Sequence, residues 1–597
     1  MKLLRLTTLS QSQAASGKTD KELSAWLEDL PRGDAEAFGA SLRDVLQELN
    51  RRLVPVGARF ELTERLRPAV NDACAMLVAR YKNSPLPLTE DEQRTAELVR
   101  QLYLELAAGF KIAANEQAEL WERHARAPAP LALQLSIQRA ILGLGRALLE
   151  CYRVYAPEPP QLWHDLHTLY RNAETARLLS QPIEACRDAE ETALSIKQAY
   201  LRVAVLAMAN PYHLMQGEAE ELYRRLGRWL NFVQIRVPQR PAELAGRFAV
   251  DLASDFPARY LPQNVRLPPL REARVLDLEQ LIGTIDAHIA HSVETLAAGP
   301  GPLSTRMQRD MYVRFRQALA GRGERRSERR PTVARLVLVE GLSACHFYLN
   351  GRQPFEPERE EAQCSAARTG GTSKTADLRL LGDDEPNARP ADAPDRRLSR
   401  FKTYDREADD VWRKAHLVQP EQPQRQSRTP HRVAVWHRKN ESEGGLALFC
   451  PENCPMQVRV GEIVIYADQD ALDPAAWRIG TIRWLRTRGN GGVELGIKHL
   501  APNGYAVGTR AVSGPGMGSE YLRAIVAPRI NPLQGEATLI TSAGVYDVGT
   551  VLQLSMKAQL LHVRLTELIE TSRQFAHFRF AVTEAPAAGP RPPASRR

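Results

Sequence analysis

The chain has 597 residues, and at about 150 residues per domain that length holds several separate cores. Hydrophobic residues at 43% and charged residues at 25% are ordinary for a globular chain, which excludes wholesale disorder, a collagen repeat and a membrane bundle. A net charge of +9 permits an anionic partner without naming it, and seven cysteines without a repeating spacing argue against a disulfide framework.

Residues 1–22 read as a flexible N-terminus. Lys2 and Arg5 precede too short an apolar stretch for a secretory signal, and no run of about 18 uncharged apolar residues follows, so a cytoplasmic protein is expected. Residues 23–320 read as helix after helix, a helical interaction domain. In Asp34–Leu53 the side chains of Leu42, Val45, Leu46, Leu49 and Leu53 recur at three- and four-residue spacing, which draws an apolar stripe down one face; Asp34 suits the N-cap. Glu97–Phe110 and Glu220–Val233 repeat the pattern. No fixed period of 34 to 45 residues appears, so an irregular helical domain is expected in place of a solenoid.

Beyond Pro300 arginines accumulate at 306, 309, 314, 316 and 322 and culminate in Arg325-Arg326-Ser327-Glu328-Arg329-Arg330. The period then changes. Val333–Val339 is β-branched and apolar, as a buried strand is, and the strand pattern continues through Gly341-Leu342 to His346–Leu349, so 321–350 reads as an arginine-rich hinge and first barrel strand. Residues 351–430 are poor in aliphatics and broken by Pro386, Pro390, Pro394 and Pro420, the composition of a disordered insertion. Strand patterns resume over 431–518 at Arg432–His437, Leu446–Phe449, Val458–Tyr466, Trp477–Leu485 and Val493–His499. The last two are joined by the turn signal Arg488-Gly489-Asn490-Gly491-Gly492. Shorter strands fit 519–585, either completing that barrel or forming a β-rich extension, and 586–597 is an Ala/Pro/Arg-rich tail expected to be disordered.

Two segments carry chemistry: Arg325-Arg326-x-x-x-Arg330 before the first strand, and Asn440-Glu441-Ser442-Glu443-Gly444-Gly445 beside a later one. The pair resembles the PilZ domain, a bacterial receptor module for cyclic di-GMP. Leu446-Ala447-Leu448, Val460-Gly461-Glu462-Ile463-Val464 and Glu494-Leu495-Gly496-Ile497 also look like that family's barrel. The resemblance covers about Gly323–Pro502 without the insertion. It implies a multidomain α + β fold, an N-terminal all-α helical domain followed by a PilZ-like antiparallel β-barrel, and ligand contacts from Arg325, Arg326, Arg330, Asn440, Ser442 and Gly445. The residue chemistry agrees. Arginine can hold phosphate, pair with a guanine edge and stack on a base. Asn440 offers donor and acceptor, Ser442 a hydroxyl, and Gly445 a close approach without a Cβ. Taken singly, an arginine run is also the composition of a solvated face, and Asn-x-Ser-x-x-Gly that of a common turn.

The match has two departures from the family, of which the first is that about eighty extra residues separate the two motifs, which an exposed loop tip can accept. A rival pair, Arg428-x-x-x-Arg432, stands closer to Asn440, but the doubled arginine with a strand behind it fits the family's order. Ser16-Gly17-Lys18-Thr19 fails as a phosphate loop because Ser12 stands where the leading glycine belongs, and Gly371–Thr375 lacks the Gly-Lys-[Ser/Thr] order. His164, His167, His288 and His291 fit helix faces, and Cys450-x-x-x-Cys454 has no second pair, so no metal and no resident cofactor is expected. Trp436, Trp477 and Trp484 fall on barrel strands, where core burial is expected. With no cyclase, phosphodiesterase or nucleophile-turn signature, the chain reads as a noncatalytic cyclic-di-GMP receptor that relays to a protein partner through its helical domain. By resemblance, large PilZ proteins of this kind are similar to fimbrial and type IV pilus-associated receptors acting in surface attachment, with polar machinery as the partner class. Two alternatives stay open: a degenerate PilZ-fold scaffold that binds no nucleotide, and a nucleic-acid binder using the arginine stripe from Arg306 to Arg335.

Overall fold

The computed structural model describes residues 20–123, 128–181, 183, 194–263, 270–297, 303–321, 330–358, 433–452, 454–469, 476–488, 491–514, 520–528, 537–556 and 559–583. The chain begins with helices α1 (Asp20–Glu28), α2 (Ala35–Arg51), α3 (Ala58–Tyr81), α4 (Glu90–Arg123), α5 (Leu131–Arg153), α6 (Leu162–Thr175), α7 (Ile196–Met208) and α8 (Glu218–Trp229). Asp34 caps α2 as expected, accepting the Glu36 and Ala37 amides at 3.0 and 3.2 Å. The stripe of α2 buries Leu42, Leu46 and Leu49. The helix stops at Arg51, however, and Leu53 falls beyond it, 52% exposed. Helix α4, longer than the pattern around Leu98–Leu106 implies, packs along α5 at the centre of the helical region.

Between α8 and the next helix lies a small antiparallel sheet that the patterning does not reveal. Its strands are β1 (Gln234–Arg236), β2 (Arg247–Asp251), β3 (Arg259–Leu261) and β4 (Ala273–Asp277), in the order β1-β4-β2-β3. Helices α9 (Glu279–Ala297) and α10 (Leu303–Leu319) follow, and then β5 (Arg330–Glu340).

The strand pattern expected through His346–Leu349 is instead a helix, α11 (Leu342–Leu349). Gly341 makes the break. Its φ of +82° is a conformation that L side chains rarely adopt, and its amide bonds the Ile463 carbonyl at 3.0 Å while the chain leaves the sheet. Of the expected insertion 351–430, residues 359–430 lie outside the described residues. Its first part is packed: Phe355 meets the His346 ring edge-on at 5.1 Å and lies 4.7 Å beneath the Arg523 guanidinium.

Two closed antiparallel barrels follow. The first is built from β5, β6 (Ala434–Ser442), β7 (Gly445–Cys450), β8 (Ile463–Asp468), β9 (Arg478–Thr487) and β10 (Val493–Ala501), in the order β10-β7-β6-β5-β8-β9. The expected turn joins β9 to β10, with Val493 opposite Thr487 and the Arg488 amide bonded to the Gly492 carbonyl at 2.8 Å. The second barrel comprises β11 (Tyr505–Ser513), β12 (Leu522–Ala527), β13 (Thr538–Ser542), β14 (Val551–Met556), β15 (Gln559–Thr571) and β16 (Phe575–Thr583). Strand β11, which patterning leaves with the first barrel, pairs with β12 and β14 and so belongs to the second.

Strand alternation divides the cores. Leu336, Leu338, Trp436, Leu448, Val464, Ile482 and Leu495 form one buried face of the first barrel, continuous with the helical core through Met456 and Val458. Val337, Val339, Ile463, Ile465 and Ile479 point the other way, onto Cys345 and Leu349 of α11 and onto Ile525, Ile540 and Phe575 of the second barrel. Backbone and side-chain bonds fasten the units. The Val458 amide reaches the Leu86 carbonyl at 2.5 Å and the Thr487 amide reaches Tyr155 at 2.9 Å. Arg483 grips Glu570 with two bonds of 2.7 and 2.8 Å between the barrels. Helix α10 is tied to both flanks, by Arg314 to Glu218 of α8, by Arg306 to Asp547, and by the Thr571 amide to Asp310 at 3.2 Å.

Candidate functional site

The two sequence motifs meet at one rim of the first barrel. Arg330 opens β5 and pairs with Glu441 near the end of β6, while Pro331 pairs with Asn440. A bulge between Pro331 and Ala334 bends this corner, as bulges do where a ladder re-aims side chains. Arg330 is exposed, and Asn440 and Ser442 are half-buried. Successive strand residues face opposite sides, so Asn440 and Ser442 share one face and Glu441 takes the other, the face of its cross-strand partner Arg330. Arg325 and Arg326 lie outside the described residues.

Strand direction explains how the extra residues between the motifs are accommodated. From Arg330 at this rim, β5 runs to Glu340 at the other, where α11 leaves the barrel and where Leu338 pairs with Ala434 at the start of β6. The insertion therefore departs from and returns to the far rim. Strand β6 then carries the chain back over about 26 Å to the Ser442–Gly445 hairpin. Arg428 and Arg432 lie outside the described residues. The strand that follows Arg432 begins at Ala434, about 20 Å of strand away from Asn440.

The hairpin is held from within. The Ser442 hydroxyl donates to the Gly445 carbonyl at 3.0 Å. Gly445 has a packing reason beyond the one its motif suggests. A Cβ there would stand 2.2 Å from the Ile497 carbonyl oxygen of β10, so the neighbouring strand, not an open approach, occupies the space. Gly496 is similar: its missing Cβ leaves room for the Trp484 indole, 1.9 Å from where that atom would be. Trp436 and Trp477 are fully buried.

Around the corner stands a polar network that the motifs do not contain. The Glu441 carboxylate accepts from Arg438 at 2.6 Å and from Arg478 of β9 at 3.1 Å. Arg478 lies 3.9 Å from Asp468 and 6.0 Å above the Tyr466 ring. The Tyr466 hydroxyl is hydrogen-bonded to His499 Nδ1, and the His499 amide donates to the Gly444 carbonyl at 3.2 Å. Burial pushes the His499 imidazole below its ordinary value, so it is neutral at neutral pH. Glu441 stands inside the Asn-x-Ser motif, which is the one sequence signal that points to this network; Arg478, Tyr466 and His499 reach it through barrel closure. Chemically, the rim offers guanidinium forks for phosphate and an amide and hydroxyl for a base edge.

The other candidates have structural partners. Asp165 pairs with Lys111, His167 bonds the Tyr200 hydroxyl and the Phe256 carbonyl, each at 2.9 Å, and His288 packs on Trp229 and Tyr312. Cys450 and Cys454 are buried free thiols. No helix among the described residues is long and apolar enough to cross a membrane.

Three family models match in series: "Cyclic-di-GMP receptor FimW, N-terminal domain" over residues 21–241, "Cyclic-di-GMP receptor FimW, middle PilZ domain" over 247–505, and "FimW C-terminal beta-barrel domain" over 507–583. A Pseudomonas aeruginosa protein named Cyclic-di-GMP receptor FimW is 27% identical over 598 residues, covering 97% of this chain and 93% of that one. No solved structure matches significantly. The middle match contains the first barrel with its rim, and the C-terminal match contains nearly all of the second barrel. With the three models laid end to end in the same order as the structural units, the chain belongs to the FimW family of PilZ-domain proteins.

Proposed function

We propose that this protein is a noncatalytic receptor for cyclic di-GMP, with its site at the rim where Arg330 lies opposite the Asn440–Ser442 strand. That juxtaposition carries the reading. Arg330 and Asn440 are 110 positions apart and have no local reason to meet, yet the register pairs Arg330 with Glu441 and Pro331 with Asn440. Arg326 is four residues from Arg330, so its Cα lies within about 14 Å of that position. In this reading Arg325, Arg326 and Arg330 hold the phosphates and guanine faces, and Asn440 and Ser442 read a guanine edge.

The relay follows from connectivity. Helix α10 stands just ahead of the arginine segment and is fastened to α8 and to the second barrel, so a ligand that engages the segment bears on how those units are held. A protein partner of the helical domain is the output we infer, and by its resemblance to large PilZ proteins we assign that output to surface attachment or type IV pilus function at a cell pole. The nucleic-acid alternative is disfavoured because its stripe is engaged: Arg306 pairs with Asp547, Arg314 with Glu218 and Arg316 with Asp286.

Thermal unfolding of the full chain tests the receptor reading. A ligand at 100 times its Kd adds about 2.7 kcal/mol of stability to the state it binds. The midpoint should therefore climb with cyclic di-GMP concentration and stay fixed with cyclic di-AMP or GTP; no shift with any of the three would leave a scaffold.

A further inference from the structure

The carboxylate inside the Asn-x-Ser motif, Glu441, has two arginine partners that differ in kind. Arg438 is the nearer in sequence, bonded at 2.6 Å with a side chain 13% exposed. Arg478 comes from β9, is bonded at 3.1 Å, and is 38% exposed. Its second contact, to Asp468, is loose at 3.9 Å. An ion pair this open to water is weakly held, because solvent screens it and the long side chain pays to stay in one geometry. The Tyr466 ring below the guanidinium keeps the group at the rim, and the bond from Tyr466 to His499 fixes the ring.

Arg330 stands on the same face. As the cross-strand partner of Glu441, it projects its Cβ to the side on which Arg478 meets the carboxylate. One arginine from the motif and one from β9 thus flank a single carboxylate. A phosphodiester bears one negative charge on two oxygens, which match a guanidinium fork as a carboxylate does. A cyclic dinucleotide carries two such groups.

Building on the receptor reading above, we infer that Arg478 is a phosphate-contacting residue of the same site, held by Glu441 and Asp468 until a phosphodiester of the ligand takes their place. Glu441 is then a competitor that the ligand displaces, and Arg438, bonded at shorter range, keeps that carboxylate in the rim when Arg478 turns away. The proposal gives Glu441 and Arg478 opposite signs. Removing the arginine weakens binding, and neutralising the carboxylate strengthens it.

The test is titration calorimetry of the full chain with cyclic di-GMP at several salt concentrations, for wild type, Arg478→Ala, Arg478→Lys and Glu441→Gln, each checked for a wild-type circular dichroism spectrum. Arg478→Ala should weaken binding at least tenfold and flatten the dependence of affinity on salt, since a charge contact to phosphate has gone. Arg478→Lys, which keeps charge without the fork, should fall between, and Glu441→Gln should tighten binding several-fold. Wild-type affinity in Arg478→Ala overturns the inference and leaves the receptor reading intact. Weakening by Arg478→Ala with unchanged salt dependence, together with weakening by Glu441→Gln, also overturns it, because both residues would then serve only to position β6. Absence of binding by wild type overturns the receptor reading itself.

Discussion

Gly445 shows how packing alone can require a motif glycine. A Cβ at this position would stand 2.2 Å from the Ile497 carbonyl oxygen, a space no side chain can share, and the Ser442 hydroxyl closes the hairpin beside it. Gly445→Ala should therefore cost about 3 kcal/mol in urea unfolding, the range for forced overpacking; a variant as stable as wild type would show that β10 yields. A second residue-scale effect lies at the opposite rim. Burial, and then the charge of Glu462, pushes the Glu340 carboxyl up to about 8 from its ordinary 4.5. The native state thus keeps a proton that the unfolded chain releases near pH 4.5. The stability this confers is complete below that pH and is lost as pH rises through 8. Glu340→Gln should raise the melting temperature at pH 9 far more than at pH 4, and an equal change at both pH values would contradict the assignment. At this scale the sequence exposes the residue types but not their partners. Asn440 and Ser442 are visible in a local motif, whereas the contact of Arg478 with Glu441 spans 37 residues and exists only because the barrel closes.

Among elements, those whose cues are local were legible. Asp34 announces α2, the β-branched run Val333–Val339 announces β5, and Arg488–Gly492 announces the β9–β10 hairpin, each by chemistry confined to a few residues. Helix α11 was not, because Leu342–Leu349 is apolar on nearly every side and a short apolar run carries no period that separates helix from strand. Its environment decides. One side meets the outer face of β5 and β8 and the other meets the second barrel, so most of the helix is covered and only Ser343 is exposed. Strands β1 and β3, three residues each, were too short to show alternation. Because Leu349 is 1% exposed in the core shared by α11 and both barrels, Leu349→Ala should cost about 2–5 kcal/mol and loosen the two barrels together. Limited proteolysis would check the second half: cleavage confined to one barrel, with the other unaffected, would mean that α11 does not join them.

Across the whole molecule, the order of units matters more than any one of them. A helical region, a helix tied to both flanks, the arginine segment and a barrel with Arg330 and Asn440 at one rim stand in succession, while β5 ends and β6 begins at the opposite rim. The sequence carried this order through its composition shifts, but not the closure of the second barrel, since β11 and β16 pair with strands far from them in the chain. The most direct measurement is titration calorimetry of the intact protein with cyclic di-GMP, repeated on Arg326→Ala and Asn440→Ala. Saturable binding by wild type, lost in both variants while each still folds, is the predicted result. Binding that survives both substitutions would place the ligand elsewhere and contradict the account.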